Sequence, residues 1–525
     1  MKDNSENSKS LEAWIWRAAC AIHGAQDAPK YKDYILPLIF VKRLCDVFDD
    51  ELNRLAAKVG SRKKAFQMVR ADPKLVRFYL PLRPKDPEQP VWSVIRKLSD
   101  KIGEDVTTHM RKIAGKNRLL KGIIDRVDFN ATTHGQRDLD DDRLSNLIEA
   151  ISAKRLGLVD VEADILGKSY EYLIRKFAEN SGKSAGEIYT PGEVSEIMAK
   201  VLAPEPGMEI YDPNCGSGGL LIKCQLAMEA AVKAKKKTDG KRRHRPLKLF
   251  GQEFVPTTWA MANMNMIIHD MEGEIEIGNT FTDPKFRAKN GKLRTFDRVV
   301  ANPMWNQDWF TASDYENDEF DRFPAGAGFP GGSSADWGWV QHMHASLKAE
   351  GRAAVVLDTG AVSRESGKDN GKEKNIRRWF VENDIIESVL QLPKNLFYNT
   401  NAPGIVIFLN KKKPQKQRGK IFLVNAGQVF ERGNPKNFIS PAGVQRVSNA
   451  LIRWKEEDKF SRIVTHAEVK EHNYNMAPTL YIRTSDEKTY RPLTEIVAEL
   501  GVAEAEVKNA DKALKGVLKQ IGVAS

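Results

Sequence analysis

From about residue 185 onward, short apolar runs alternate with helical stretches. This alternation restricts the fold more than any other feature of the chain. "MEIYD" precedes an expected helix from Gly218 to about Lys235, and "LKLFGQE" precedes one from Thr257 to about Asp270. "EIEIG" and "DRVVANP" follow, then a helix near Trp337 to Lys348, "AAVVLD", a helix near Asn375 to Asn383, "IIESVLQLP" and "GIVIFLNK". Strands alternating with helices in this way form a mostly parallel sheet covered by helices on both faces. Ligands of such α/β sheets bind beyond the carboxyl ends of the strands. The residues that follow each strand are therefore the ones to question.

The first such segment is "IYDPNCGSGGLL", Ile210 to Leu221. A strand ends at Asp212, and Gly216, Gly218 and Gly219 allow a tight turn with close approach of backbone to a ligand. The helix that follows offers unpaired N–H groups. The spacing is not the GxGxxG of a dinucleotide site, and the loop holds no Gly-Lys-Ser/Thr to grip phosphates. A separate "SGKS" at 181–184 has Phe177 where a P-loop needs its first glycine, and no strand precedes it. A loop without phosphate grips suits S-adenosyl-L-methionine, whose zwitterionic methionine end meets backbone donors and carbonyls. The other reading is a glycine-rich structural turn. The second segment is "FGQEF". Glu253 ends its strand, where a carboxylate can accept from both ribose hydroxyls.

The third is "VVANPMW", with Asn302 90 residues downstream of Asp212. An exocyclic amine on an aromatic base is a poor nucleophile, because its lone pair is delocalised into the ring. Acceptors on both amine hydrogens favour a pyramidal nitrogen. The Asn302 side-chain oxygen and the Pro303 carbonyl can supply them, and proline offers no competing N–H. Trp305 can stack on the base. Asparagine is no general base, so the proton leaves to water, and a sulfonium methyl donor needs no metal. The fourth, "GEIYTPGEVSEIM", carries Tyr189, Thr190 and Pro191; Thr-Pro marks a helix start and could lid the cofactor's methionine end.

Residues 11 to about 180 read as helical. "LEAWIWRAACAIHG" and "YILPLIFVKRLCDVFDDELNRLAAKV" space apolar residues three and four apart with charges on the other face, and Pro81, Pro84, Pro87 and Pro90 mark a loop. At the other end, Leu493, Leu500, Val507, Leu514 and Ile521 repeat every seven residues, with Ile496, Ala503, Ala510 and Val517 three later. Gly501 and Gly516 weaken this seam, which either packs on its own domain or awaits a foreign helix. The net charge of +12 favours a polyanionic partner. Two basic runs, 233–248 and 411–420, are either solvated loops or DNA contacts. Four cysteines without a CxxC pair indicate free thiols in a reducing cytosol. No apolar run approaches the ~20 residues that span a bilayer, and the polar first ten residues lack the apolar core of a signal peptide.

Together "YTP", "DPNCGSGG", "GQE" and "NPMW" resemble, in order, the motifs of the modification (M) subunit of type I restriction-modification systems, which are N6-adenine DNA methyltransferases. The N-terminal "EAWIWRAACAIHGAQDAPKYKDYILPLIFVKRLCDVFDD", "VLQLPKNLFYNTNAPGIVIFLNKKK" and "YNMAPTLYI" are also similar, so that the resemblance covers about residues 11 to 483. It implies an α/β architecture: an all-helical N-terminal domain (1–180), a Rossmann-like S-adenosylmethionine-dependent methyltransferase domain (181–483) and a C-terminal helical tail (484–525). It implies Asn302, Pro303 and Trp305 as catalytic residues. For the cofactor it implies Tyr189, Thr190, Pro191, Asp212, Asn214, Gly216, Ser217, Gly218, Gly219 and Glu253, with no metal. The implied partners are duplex DNA, a specificity (S) subunit that chooses the target sequence (two M with one S), and restriction (R) subunits, in the cytoplasm and away from any membrane. The C-terminal heptad helix is a candidate docking element for S. The chain departs from the family at Met304, where a second proline is usual, and at Asn279, where an aspartate near the cofactor adenine is usual. Methylation of RNA or of a protein glutamine, or a non-catalytic assembly role, are the competing readings. The long helical region and basic loops argue against a small protein substrate, and intact Asp212, Gly216, Gly218, Glu253 and Asn302 argue against a scaffold.

Overall fold

The structure, a computed structural model, describes residues 2–22, 28–180, 189–235, 244–308, 310–332, 334–398, 400–483 and 493–520. The chain divides into two compact units, Met1–Ile482 and Arg483–Ser525.

Among the described residues up to Asn180 the regular structure is helical, as the spacing of apolar residues predicts, apart from a short hairpin of β1 (Thr132–Thr133) and β2 (Gln136–Arg137). The longest helix here, Lys32–Val59, is stopped by Gly60 in the left-handed conformation (φ 87°). Five of its charges do not lie on a solvated face. Lys42, Arg43, Asp46, Asp49 and Asp50 are all buried. Lys42 pairs with Asp46 and Arg62 with Asp49. The remaining lone pairs tie down loops: Asp46 accepts the Leu156 N–H at 2.7 Å, Asp50 the Leu158 N–H at 2.6 Å and Asp49 the Val91 N–H at 3.0 Å. These carboxylates replace the loops' missing backbone partners, which is why the helix tolerates their burial. The proline-marked segment 79–90 is neither helix nor strand.

The nine-stranded sheet has the order β11-β10-β8-β9-β7-β6-β3-β4-β5. Its strands are β3 (Glu209–Asp212), β4 (Lys248–Glu253), β5 (Gly273–Ile277), β6 (Phe296–Ala301), β7 (Leu347–Asp358), β8 (Ile386–Gln391), β9 (Gly404–Asn410), β10 (Lys420–Asn425) and β11 (Ser461–Thr465). The pairs β3–β4, β3–β6, β4–β5, β6–β7 and β8–β10 are parallel, while β9 runs antiparallel to β7 and β8, and β11 to β10. Central strands are buried on both faces. Val300, Ala354, Val406 and Phe408 pack beneath helices Gly192–Leu202 and Gly219–Lys235, whereas Val299, Ala301, Val355 and Ile407 pack beneath Asp336–Ala345 and Lys372–Glu382. The helix Pro256–Ile268 is apolar on all sides because it serves two cores. Ala262 and Met266 face the sheet, and Met261, Met264 and Ile268 complete the core of the N-terminal helices.

The 411–420 run differs from a free basic loop. Lys411 donates to the Leu347 carbonyl at 2.9 Å, Lys412 pairs with Glu350, and Lys413, 3% exposed, pairs with Asp384 at 2.7 Å. Residues 236–243 of the other basic run lie outside the described residues. All four cysteines are free thiols. Among the described residues no helix is long and apolar enough to cross a membrane. The C-terminal helix spans Leu493–Gln520 and exposes the seam residues Leu500, Val507 and Leu514; Ile521 lies outside the described residues.

Candidate active site

Strand order brings the motifs together. β3 and β6 are parallel neighbours, with Tyr211 opposite Val299, so the loops after Asp212 and Ala301 leave the same edge of the sheet side by side. β4 lies on the other flank of β3 and delivers Glu253.

The glycine loop is held from within. The Cys215 N–H bonds the Gln252 carbonyl at 3.0 Å and the Gly218 N–H bonds the Cys215 carbonyl at 2.8 Å. Gly216 (φ 54°) and Gly218 (φ 78°) take the left-handed conformation the turn needs. A Cβ on Gly218 would sit 2.9 Å from Met266 Cε, whereas one on Gly216 would meet nothing within 4 Å and point into open space. Glu253 accepts the Gly216 N–H at 3.0 Å and the Val255 N–H at 2.8 Å, one on each oxygen. Asp212 accepts the Asn214 N–H at 3.1 Å on Oδ1. Its Oδ2, and Asn214 Oδ1, are buried without a hydrogen-bond partner among the described residues. Burial pushes the Asp212 carboxyl well above the usual carboxylate range; the Asn214 N–H opposes this and the charge of Glu253 adds to it. Orphaned buried acceptors of this kind ask for a donor or a cation.

Asn302, 8% exposed, directly follows β6. Its Nδ2 donates to Thr190 Oγ1 at 2.9 Å, and its Oδ1 accepts from Trp305 Nε1 at 3.3 Å. Thr190 stands just before helix Gly192–Leu202, whose first N–H groups, from Val194 and Ser195, bond the Pro191 carbonyl. Pro303 is buried and Trp305 half-buried. The Trp305 ring meets Phe397 edge-on at 4.9 Å, and Tyr189 lies 5.9 Å from Tyr398. Gly404 permits this packing, since a Cβ there would fall 2.6 Å from the Phe397 ring. Phe397 and Tyr398 belong to none of the four sequence motifs. Their signal was the aromatic pair shortly after a strand in "VLQLPKNLFYN".

Two cavities flank the glycine loop. One of about 510 Å³ is walled by Glu253, Phe254, Asn279, Met304, Phe310 and Trp339, among others. A smaller one of about 30 Å³ is lined by Asp212 and Thr190. Tyr189, Asn214, Gly216, Ser217 and Asn302 border both. Gly219 lines the smaller cavity, while Gly218 packs inward against Met266. Asn279 turns its side-chain oxygen to the Phe281 N–H at 2.9 Å. The Met304 side of the turn is latched from behind. Asn306, at φ 54°, donates its N–H to Asp336 Oδ1 at 3.0 Å and accepts from Arg364 on Oδ1 at 3.0 Å. Arg364 also binds Asp336 at 2.6 Å and Glu373 at 3.0 Å. This ionic network holds the backbone two residues after Met304, whose side chain lines the larger cavity.

Comparison with known proteins agrees with this geometry. The N-6 DNA Methylase family pattern matches residues 161–490, and the HsdM N-terminal domain matches residues 11–151. The type I restriction enzyme MjaVII methylase subunit of Methanocaldococcus jannaschii is 31% identical over 90% of this chain and 78% of its own length. The MjaVIII methylase subunit of the same organism is 34% identical over 70% of this chain, which spans 61% of that relative. The crystal structure of the type I restriction-modification system methyltransferase subunit from Streptococcus thermophilus shares the fold, with a TM-score of 0.73 at 24% identity over 90% of this chain and 99% of that one. A sheet with two motif loops on adjacent strands, a helical N-terminal region and these matches lead to one assignment: the chain belongs to the N-6 DNA methylase family, among the methylase subunits of type I restriction enzymes.

Proposed function

We propose that the chain transfers a methyl group from S-adenosyl-L-methionine to N6 of adenine in duplex DNA, as the modification subunit of a type I restriction-modification complex. The observation that carries this reading is the placement of Asn302. It directly follows β6, is fixed by Thr190 and Trp305, and borders both cavities beside the glycine loop.

The residues present fit the cofactor. Gly216 leaves space where a side chain would stand, and Asp212 Oδ2 and Asn214 Oδ1 are acceptors without donors. Asp212, Asn214, Gly216, Ser217, Gly219, Thr190 and Tyr189 would hold its methionine end, and Glu253 its ribose; Gly218 shapes the loop and Pro191 starts the lid helix. When bound, the cofactor supplies an electrophilic methyl group. The rest is done by the chain. Asn302 Oδ1 has a second lone pair for one amine hydrogen, and the Pro303 carbonyl takes the other. Trp305 gives the base a stacking face, with Tyr189 and Tyr398 nearby. The proton leaves to water. The target base must be flipped out, which costs a few kcal/mol of unstacking. The basic surface offsets this through phosphate contacts.

Target choice belongs to a separate specificity subunit, with two M and one S, and restriction subunits complete the nuclease. The exposed seam of Leu493–Gln520 is the docking element for S, and the complex works in the cytoplasm. The test uses the chain with its S partner, tritiated S-adenosylmethionine and unmethylated duplex DNA. Label should appear in N6-methyladenine, and Asn302→Ala should bind cofactor yet lose transfer by at least about 100-fold. Label in RNA or protein instead, or an Asn302→Ala variant with the wild-type rate, would overturn the reading.

A further inference from the structure

Two charged residues in the wall of the smaller cavity, Glu171 and Lys223, belong to none of the sequence motifs. Glu171 enters it from helix Ala163–Asn180 of the N-terminal region, and Lys223 from helix Gly219–Lys235. Lys223 Nζ donates to Glu171 Oε2 at 3.0 Å. Glu171 is 8% exposed and its Oε1 has no hydrogen-bond partner among the described residues, with His269 Nε2 at 3.7 Å beyond it. Across the same cavity, Asp212 is 1% exposed and its Oδ2 is likewise orphaned. A buried carboxylate oxygen without a donor is costly, and two sharing one cavity call for a cationic group. The Lys223 ammonium has three donors, and Glu171 accepts one of them. That leaves the cavity equipped to receive a cation on its acidic side and an anion beside the lysine.

Resting on the cofactor reading above, we infer that this cavity is a zwitterion site: Glu171 and Asp212 receive the α-ammonium of the cofactor's amino-acid end, and Lys223 its α-carboxylate. The neighbouring cavity of about 510 Å³ takes the nucleoside. Asn302 borders both, so the sulfur between the two ends lies at the residue that aims the amine. Glu171 stands on helix Ala163–Asn180, outside both the glycine loop and the Asn-Pro turn. Helix Ala163–Asn180, which precedes all four motifs in the chain, is then part of the cofactor site.

Calorimetry on the full-length chain tests this with two ligands. S-adenosylhomocysteine carries the zwitterion, and 5′-methylthioadenosine has the same nucleoside and a neutral sulfur but lacks it. Glu171→Gln and Lys223→Met should each weaken S-adenosylhomocysteine about tenfold or more and leave methylthioadenosine within about twofold. Methylthioadenosine thereby reports that the variant is folded. If Glu171→Gln fails to fold, Lys223→Met, whose side chain is 21% exposed, reads the site on its own. Equal losses for both ligands, or no loss for either, would overturn the zwitterion site while leaving the cofactor reading in place. A wild-type chain that binds neither ligand would remove both.

Discussion

The Asn302 side-chain amide donates to the Thr190 hydroxyl at 2.9 Å, across 112 residues of chain. Through this bond the amide nitrogen faces the lid helix, and the oxygen is turned toward Trp305. The orientation that an amine acceptor requires is therefore set by a residue of a different motif. Thr190→Val should cost about tenfold in kcat, as one hydrogen bond worth ~1.4 kcal/mol would. Thr190→Ser should hold the wild-type rate. Single-turnover transfer measures both, with cofactor affinity as the control.

Trp305 has two tasks that substitution can separate. Its Nε1–H holds Asn302 Oδ1 at 3.3 Å, and its ring stands edge-on to Phe397. Trp305→Phe should keep stacking and lose a few-fold in kcat. Trp305→Ala should lose a further ~1–3 kcal/mol of base stacking. A 2-aminopurine reporter at the target position would show this as weaker fluorescence from the flipped base. Equal flipping by both variants would refute the division.

The two left-handed glycines of the loop should fail differently. Alanine in that conformation costs about 1–2 kcal/mol at either site. At Gly216 the new methyl meets nothing within 4 Å and occupies cavity space, so Gly216→Ala should fold and lose cofactor affinity. At Gly218 it would stand 2.9 Å from Met266 Cε, so the larger loss should be in stability. Urea unfolding alongside calorimetry distinguishes the outcomes.

His342 is fully buried, its Nε2 is 3.3 Å from the Tyr211 hydroxyl, and its Nδ1 has no partner among the described residues. Burial, with the charge of Arg322 adding to it, holds the ring neutral well below its usual pKa. As pH falls past about 6.5 the unfolded chain takes up a proton that the folded chain refuses. The stability is complete above that value and lost progressively below it. Thermal melts should fall more steeply between pH 7 and 5 for the wild type than for His342→Gln, about one pH unit around the imidazole range being enough to see it. Parallel curves would show that His342 is not a source of the acid sensitivity.

The glycine loop and the Asn-Pro turn were legible in the sequence because their geometry is local. A strand, a turn and a helix start within a dozen residues carry their own signals. The burial of the N-terminal charges is hidden in the sequence for the opposite reason. Asp46, Asp49 and Asp50 look like a solvated face by spacing, yet they are buried by loops more than 40 residues away that need their oxygens. Strands β10 and β11 lie beyond the alternation that marked the sheet, and β11 is an edge strand with a mixed burial pattern. Glu171, Phe397 and the Asp336–Arg364 latch have no fixed spacing to any motif. Only the folded arrangement joins them to the site.

The adjacency of β3 and β6 has a consequence for how such chains can change. The distance between the glycine loop and Asn302 is set by the spacing of neighbouring strands, not by the length of chain between them. The chain that makes that connection runs from the glycine loop through helix Gly219–Lys235, β4, helix Pro256–Ile268 and β5 to β6, and loops within it can therefore lengthen or shorten without moving either motif relative to the other. Chemistry here is registered by hydrogen-bonded ladders, and the connecting chain is free to drift in length around it.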